Sequence, residues 1–159
     1  MLLPLPREVA GRHISCESEW VDALCELLPD HLRPELSWRA QHSRSSPGGF
    51  GVVELLLWAV LSYRDRLARA LWKEASEPMR AALLASQTYL DLSERERTQK
   101  GAAAKLADAE RFEQLAVGML DLLSPHGAAQ LLQGCSLTCP TPLLDLAIEE
   151  PTKRFASPL

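Results

Sequence analysis

Hydrophobic residues recur along most of the chain with the 3.6-residue period of an α-helix, and this pattern predicts a series of helices. The first predicted helix starts near Ser18, a residue type that caps helix N-termini well, and stops at Pro29, which cannot continue a helix. Pro34 suits the first turn of a second, short helix, so residues 15–38 are expected to form a helical pair. The apolar face of the first helix consists of Trp20, Leu24, Leu27 and Leu28.

Two segments lack this periodicity. Residues 1–14 are expected to form a tail, and residues 41–51 are small, polar and rich in helix breakers, which predicts a flexible linker. An unstructured segment of this length is uncommon inside a compact domain, so we expect it to separate two parts of the chain. The predicted division is a tail with short helices over residues 1–40, the linker over residues 41–51, and a helical block over residues 52–159.

From residue 52 onward, the apolar pattern predicts six further helices. The first two are expected to be short and antiparallel, because residues 62–65 interrupt the apolar pattern between them. Ser76 and Pro78 mark the start of the third, as a cap and a first-turn residue, and it is expected to end near Leu92. The remaining three are predicted over residues 102–123, 128–133 and 143–149.

Charged and helix-breaking residues define the gaps between these helices. Residues 93–97 carry mixed charge without apolar residues, which indicates a solvated turn or helix face. Pro125 and Gly127 are expected to break the chain before the 128–133 helix, and residues 134–142 are expected to form a loop.

Each predicted helix from residue 52 to residue 123 places its apolar residues on one side, where they are expected to face a core. Up to residue 123 these inward positions are Val53, Leu56, Leu57, Val60, Leu61, Leu67, Ala68, Leu71, Trp72, Ala75, Met79, Leu83, Leu84, Tyr89, Leu90, Leu106, Ala109, Phe112, Leu115, Ala116, Met119, Leu120 and Leu123. Large aromatic side chains at such positions are usually core residues. We predict eight structural core anchors, namely Trp58, Trp72, Leu57, Leu83, Phe112, Leu115, Met119 and Leu144. Since no segment alternates as a strand does, the predicted fold is all-α, with antiparallel helical hairpins stacked in a solenoid-like block.

Composition narrows the class of protein. The 159 residues include 17 basic and 21 acidic ones, and a net charge of −4 argues against nucleic-acid binding, which usually needs a clustered basic excess. The longest apolar run, Leu55–Leu61, is far shorter than the roughly 20 residues of a membrane-spanning helix. Residues 1–6 are too short and proline-rich for a secretory signal. We therefore expect a soluble cytosolic chain whose cysteines are reduced thiols.

Candidate metal and catalytic residues are few. Cys135 and Cys139 have a spacing that zinc tolerates, but a structural zinc site needs four ligands, and the residues that could complete it are His126, Cys25 and Cys16. Ordinary buried thiols are the favoured interpretation, and a zinc site is the alternative. The sequence contains no Gly-x-Ser-x-Gly elbow, and its histidines have no nucleophile at a diagnostic spacing. We predict no catalytic residue, no cofactor and no metal.

Three further motifs have structural interpretations that we favour. The loop of residues 48–51, Gly-Gly-Phe-Gly, precedes a helix and could hold phosphate, but it lacks the Lys-Ser/Thr of a P-loop. Glu149 and Glu150 are adjacent and point apart on a helix. Arg64, Arg66 and Arg69 form a small basic patch, for which surface ion pairs are the default and an acidic partner surface is the alternative.

Several segments in order resemble the melastatin-type transient receptor potential (TRPM) cation channels. Residues 54–61 (ELLLWAVL), the Tyr63-Arg64 turn and residues 67–72 (LARALW) are similar to a Leu-Leu-Trp-Ala helix, an Asn-Arg turn and a helix ending in an aromatic-Trp pair in that family. Further similar segments follow in family order, at residues 81–86, 111–120, 128–132 and 138–147. The family's Glu-Cys-Tyr and Trp-Gly motifs are replaced by Leu122-Leu123-Ser124 and Gly134-Cys135-Ser136.

The resemblance implies a helical scaffold segment from the cytosolic melastatin homology region of such a channel, coupling ligand-sensing layers to a pore outside this chain. Its implied partners are other domains or subunits of the same assembly, as a homo-oligomer, and it would meet the membrane only through segments absent here. A free-standing helical adaptor is the alternative, and a small enzyme or metal protein is a third. Because the 143–149 helix is apolar on more than one side, we also expect the isolated chain to self-associate.

Overall fold

The computed structural model of the chain describes residues 17–43, 51–134 and 141–148. These residues contain eight α-helices and no β-strand, which confirms the predicted all-α class. In chain order the helices are α1 (Glu17–Leu27), α2 (Arg33–Ser43), α3 (Val52–Leu61), α4 (Asp65–Lys73), α5 (Pro78–Arg95), α6 (Gln99–Asp121), α7 (Pro125–Gln133) and α8 (Leu143–Ile148). The stacking of hairpins into a solenoid stays a prediction.

The chain divides into two compact units, which we call the first unit (Met1–Ala75) and the second unit (Ser76–Leu159). The first unit contains α1–α4 and the second contains α5–α8. The boundary between the two units follows Ala75, whereas the predicted boundary lies at residues 41–51. The predicted division into residues 1–40, 41–51 and 52–159 stays a prediction.

In the first unit, α1 packs against α2 and α3, and α3 packs against α4. Trp20, Leu24 and Leu28 are fully buried, as their shared helical face predicts. Eight of the ten residues of α3 are buried, so this helix needs packing partners on most of its circumference. By contrast, α4 is amphipathic and buries only Ala68 completely.

In the second unit, α5 is the central helix. Every residue from Met79 to Tyr89 is buried, so α5 is enclosed on all sides over three helical turns. It packs against α6 as a long antiparallel hairpin and also contacts α8, which in turn contacts α7. The apolar character of α8 on more than one side is accounted for by these two neighbours, with Leu143, Leu146 and Ala147 buried.

Helix boundaries differ from the prediction where a cap was missed. α6 begins at Gln99 rather than near residue 102, because the Thr98 hydroxyl accepts a hydrogen bond from the Gly101 N–H at 3.1 Å. Pro125 and Gly127 do not break the chain but form the first turn of α7. The Ser124 hydroxyl caps this turn by accepting from the Gly127 N–H at 3.2 Å, and a proline is well tolerated at a first helical position.

Two further helices begin or end at other residues than predicted. α2 continues to Ser43, beyond the predicted end of the helical pair at residue 38, because the first helix-breaking residue after Pro34 is Pro47. α5 has Glu77 rather than Ser76 at its N-cap, with no side-chain cap hydrogen bond, and it runs to Arg95.

Three predicted inward positions are wrong. Leu67 and Leu106 are exposed at the margins of α4 and α6, because the buried side of α4 is centred on Ala68 and α5 covers only part of the circumference of α6. Leu123 is exposed because it follows the last residue of α6 and lies in the turn before α7.

The eight predicted core anchors divide into two groups. Trp58, Leu57, Leu83 and Phe112 are buried, whereas Trp72, Leu115, Met119 and Leu144 are only partly buried. A partly buried side chain contributes less apolar area to the core than a buried one, so the two groups are expected to differ in their contribution to stability. Their role as anchors stays a prediction that substitutions can test.

Candidate functional site

One face of α5 carries two buried polar side chains that attach the α8 segment. Arg80 and Gln87 are seven residues apart, which places them on the same side of the helix two turns apart. The Arg80 Nη2 donates to the Thr141 carbonyl at 2.6 Å, and the Gln87 amide nitrogen donates to the Leu146 carbonyl. Both side chains are about 99% buried. Together they hold the backbone immediately before α8, and α8 itself, against α5.

Other positions of α5 secure α6. The Ser86 hydroxyl donates to the Ala109 carbonyl at 2.9 Å, and the Tyr89 ring stacks on the Phe112 ring with centroids 5.8 Å apart. The Thr88 hydroxyl donates to the Leu84 carbonyl of its own helix at 2.7 Å. α5 thus joins two neighbouring elements through side chains that are all buried.

These buried polar contacts matter more for specificity than their number suggests. A buried donor that loses its acceptor costs the desolvation energy of that group, about 1–3 kcal/mol and more for a charged one. Arg80 also lies 4.0 Å from the Glu77 carboxylate, so its charge is partly balanced inside its own helix. Any packing of α5 that did not place an acceptor opposite Arg80 would therefore be strongly disfavoured.

Arg80 and Gln87 were not among the residues predicted to be buried. The predicted apolar stripe of α5 consists of Met79, Leu83, Leu84, Tyr89 and Leu90 and includes neither of them. The available signal was the run of residues 81–85, which is apolar around more than a full turn, although Glu77 and Asp91 lie one turn from Arg80 and Gln87 on the same side. A helix that is apolar nearly all round is buried, and the polar residues within it then need buried partners.

The turn between α3 and α4 is the second well-defined feature. The Arg64 N–H donates to the Ala59 carbonyl at 2.8 Å and the Tyr63 N–H to the Val60 carbonyl at 3.0 Å, the pattern of a Schellman helix end. Tyr63 adopts a left-handed conformation with φ 55°, where glycine is preferred. The Arg64 guanidinium lies over the Trp58 ring, 5.4 Å from its centroid. The Tyr63-Arg64 pair singled out in the sequence thus ends α3 and covers its buried tryptophan.

Arg33 closes the C-terminal end of α1 through its side chain. Its Nε donates to the Leu28 carbonyl at 3.2 Å and its Nη2 to the Glu26 carbonyl at 3.1 Å, and it forms an ion pair with Asp30 at 2.9 Å. Cationic side chains at a helix C-terminus satisfy its last carbonyls and favour its dipole. α1 therefore ends in a defined geometry at the Pro29 turn.

The one cysteine within the described residues is a protonated thiol at neutral pH. Burial, with the nearby Asp22 and Glu54 carboxylates, raises the pKa of Cys25 to about 11, and Arg33 only partly opposes this. A thiol with a raised pKa is a poor nucleophile and metal ligand, because the thiolate is the reactive form. Cys16, Cys135 and Cys139 lie outside the described residues.

The other residues that the sequence offered as candidates for a metal site or a binding surface lie on different helices. His126 is exposed in the first turn of α7, and Arg64, Arg66 and Arg69 are exposed at the start and along one side of α4. Residues 48–50 and Glu149-Glu150 lie outside the described residues. Within the described ranges, no group of three or more His, Cys, Asp or Glu side chains is arranged to hold a metal ion. Across those same residues, no helix combines the length and the apolar character needed to span a bilayer.

Comparison with known proteins adds a family match. Residues 29–157 match the family model of the TRPM2-like domain. The chain is similar to the transient receptor potential cation channel subfamily M member-like 2 of Nematostella vectensis, with 40% identity over 86 residues. It is also similar to transient receptor potential cation channel subfamily M member 2 of Mus musculus and of Rattus norvegicus, with 34% and 32% identity over 68 residues.

These alignments cover only a small part of each relative. They span 52% of this chain against 6% of the Nematostella protein, and 43% of this chain against 4% of each rodent protein. The chain thus corresponds to a short segment of proteins that are many times longer.

Proposed function

The chain belongs to the TRPM2-like domain family, and on that premise we propose that it is a non-catalytic scaffold segment at the cytosolic face of a TRPM-like cation channel. The resemblance to this family inferred from the sequence is thereby confirmed. The family match over residues 29–157 is the observation that carries the proposal, because it includes helices of both compact units.

The contacts of the second unit suit a scaffold role. A segment that transmits force or position between layers must keep its helices in fixed relation, and buried side-chain bonds to backbone carbonyls do this because they are directional. Arg80 and Gln87 fix α8 in this way, and Ser86 fixes α6. A movement at one helix of the unit would then be passed to the others.

The chemistry of the polar side chains also favours a non-catalytic role. Catalytic groups are typically placed in a cleft with a pKa tuned to their task. Here the buried polar groups of α5 are engaged with backbone carbonyls, and Cys25 is held as a thiol. We propose that the partners are other domains or subunits of the same assembly, with the chain present as part of a homo-oligomer.

An immunoblot of native tissue tests this proposal. An antibody raised against the purified chain is used on separated membrane and soluble fractions, with the antibody pre-absorbed on the purified chain as the control. A membrane-fraction polypeptide many times larger than the 17.6 kDa of this chain is expected. A polypeptide of about this mass in the soluble fraction would overturn the proposal and favour the free-standing helical adaptor.

A further inference from the structure

The connection between α5 and α6 carries an exposed hydroxyl in a short extended segment. Residues 97–100 are all exposed, and the backbone is extended at Glu96 and at Thr98, with ψ 130° and 132°. Arg95, the last residue of α5, lies three positions before Thr98, and its side chain is 49% exposed. An accessible hydroxyl, an extended backbone and an arginine thus occur together at one place in the second unit.

These features suit phosphoryl transfer by an arginine-directed protein kinase. A kinase places the substrate hydroxyl in line with the γ-phosphoryl group of ATP, and the charges around that hydroxyl provide selectivity. Kinases of this class bind a guanidinium three residues before the acceptor, which an extended chain places about 10 Å away. Arg95 supplies this guanidinium. Its pair with Asp91 at 2.8 Å lies on the surface, so releasing it costs little.

We propose that Thr98 is the phosphate acceptor for an arginine-directed serine/threonine kinase. In this reaction the Thr98 hydroxyl oxygen forms a bond to the γ-phosphorus of ATP, while the bond from that phosphorus to the oxygen bridging the β-phosphate breaks. ADP leaves, and the hydroxyl proton passes to the catalytic aspartate of the kinase. The modification site is additional to the proposed scaffold role and does not depend on it.

The other hydroxyls within the described residues lack this combination. Among the serines and threonines of those ranges, Thr98 alone has an arginine three positions before it. Ser124 is the useful comparison, because it is exposed and caps α7 as Thr98 caps α6, but Asp121 stands three positions before it. Ser15 and Ser157 also follow an arginine at this spacing and lie outside the described residues. Thr98 therefore differs from Ser124 in its charged neighbours rather than in helix capping.

A phosphate on Thr98 would enter an existing set of hydrogen bonds. The Thr98 hydroxyl accepts from the Gly101 N–H at 3.1 Å and donates to the Glu96 carboxylate at 3.2 Å. The Lys105 ammonium donates to the same carboxylate at 3.2 Å. Phosphorylation replaces the hydroxyl proton by a group with a charge of about −1.5 to −2, which repels Glu96 and competes with it for Lys105. The modification is therefore expected to weaken the bridge from Glu96 to α6.

Incubation of the full chain with Mg²⁺-ATP and the purified catalytic domain of an arginine-directed kinase tests the proposal. Tandem mass spectrometry measures the rate at each hydroxyl separately. A synthetic peptide of residues 92–102 shows whether the same sequence is a substrate without the fold. The variant R95Q removes the guanidinium. R111Q is the matched control, because Arg111 is also exposed and pairs with an aspartate of its own helix at 2.8 Å. Far-UV circular dichroism checks that each variant folds.

Thr98 of the folded chain is expected to be phosphorylated, and Ser124 is not. R95Q should lower the rate at Thr98 at least about tenfold, the scale of one lost charge-assisted hydrogen bond, and R111Q should leave it unchanged. Absence of phosphate on Thr98 of the folded chain would overturn the proposal. A modified peptide would then assign the failure to the fold, and an unmodified one to the sequence. Equal rates for R95Q and R111Q would also overturn it.

Thermal unfolding measures the effect on the connection. The wild type and E96Q are each compared with and without the phosphate. Because the phosphate repels the Glu96 carboxylate but not an uncharged amide, the shift in Tm on phosphorylation should be more negative in the wild type than in E96Q. An identical shift in both would contradict the displacement of Glu96.

Discussion

The two compact units hold their helices together in different ways. In the first unit, Arg33 closes the end of α1, and Arg39 pairs with Glu35 one turn away at 3.3 Å, so both of these long polar side chains act locally. The buried side chains of α3, which packs against α1 and α4, are apolar except for Glu54. In the second unit, buried polar side chains of α5 bond to backbone that is 23 to 61 residues away.

This difference separates two ways of specifying a helical core. Apolar packing is adaptable, because cores tolerate hydrophobic substitutions of similar volume. A buried donor aimed at one carbonyl tolerates only the arrangement that provides that carbonyl. The first unit should therefore be most sensitive to the loss of volume, and the second to the loss of a specific polar contact.

The largest expected effect is that of Trp58→Ala. The Trp58 side chain is buried in α3, and removing it should lower the free energy of unfolding by about 3–5 kcal/mol, the range measured for large-to-small substitutions at buried aromatic residues. The measurement is a urea melt followed by tryptophan fluorescence, which reports the first unit alone because all four tryptophans lie within residues 1–75.

Trp72→Ala is the matched comparison, because the Trp72 side chain is only partly buried on the amphipathic helix α4. Its loss should cost clearly less than that of Trp58. Equal losses for both would show that α4 packs as tightly as α3, and losses below about 1 kcal/mol for both would show that neither ring is a core residue.

The second largest effect is expected for Arg80→Met in the second unit. Methionine keeps most of the side-chain volume but removes the donor to the Thr141 carbonyl, so the free energy of unfolding should fall by about 1.5–3 kcal/mol. Far-UV circular dichroism, which reports helices of both units, should show this loss. Tryptophan fluorescence should show little change if the two units unfold separately.

Arg95→Met provides the control for the loss of a cation from the same helix. Arg95 is exposed and pairs with Asp91 one turn away at 2.8 Å, and such surface pairs contribute about 0–1 kcal/mol. If Arg80→Met were no more harmful than Arg95→Met, the buried contact to the α8 segment would not be a source of stability.

A smaller effect, of opposite sign, is expected for Tyr63→Gly. Tyr63 occupies a left-handed conformation that costs a residue with a Cβ roughly 1–2 kcal/mol, and part of the relief is offset because glycine adds freedom to the unfolded chain. We expect a net gain of about 0.5–1 kcal/mol in the first unit, measured as above by fluorescence. Tyr63→Val, which is β-branched, should instead be destabilising, and the reverse order of the two would contradict this account of the turn.

The smallest effect is a change in pH dependence at the connection between α5 and α6. The Lys105 ammonium, with the Thr98 N–H and hydroxyl, holds the pKa of Glu96 below its ordinary value near 4.5. Because the folded pKa is the lower one, the contribution of Glu96 is present above pH 4.5 and is lost as the pH falls through the folded pKa.

Glu96→Gln should therefore reduce the fall of the melting temperature as the pH drops below 4.5. It should leave the pH dependence of the melting temperature near neutral pH unchanged. Glu94→Gln, which removes an exposed carboxylate two residues away, is the control. An identical acid limb in the wild type and in Glu96→Gln would show that the Lys105 contact does not persist in solution.

The apolar faces of this fold were predictable from the sequence, and the buried polar contacts were not. The stripe of α3 repeats with the helical period, and every member of it is buried. For α5 the same reasoning identified Met79, Leu83 and Tyr89 but passed over Arg80, because arginine is almost never fully buried and periodicity does not show which carbonyl lies opposite.

The helix ends show the same division. Pro29 and Pro34 place the turn between α1 and α2 correctly, because proline acts through its own covalent geometry. Ser124 and Thr98 were missed as caps because a hydroxyl caps a helix only when the backbone brings an N–H to it. The Tyr63 turn was located by its sequence, but its left-handed conformation was not foreseen, because glycine or asparagine usually fills that place.

The long reach of Arg80 has a consequence for how the chain is made. Its acceptor on Thr141 is synthesised 61 residues later, which at roughly 5–20 residues per second takes about 3–12 s. During that interval α5 can pair with α6, but the Arg80 guanidinium has to stay in contact with water because its acceptor on Thr141 is not yet present. The hairpin of α5 and α6 is therefore expected to remain partly open on the ribosome. It closes when the α8 segment has been synthesised and packs against α5.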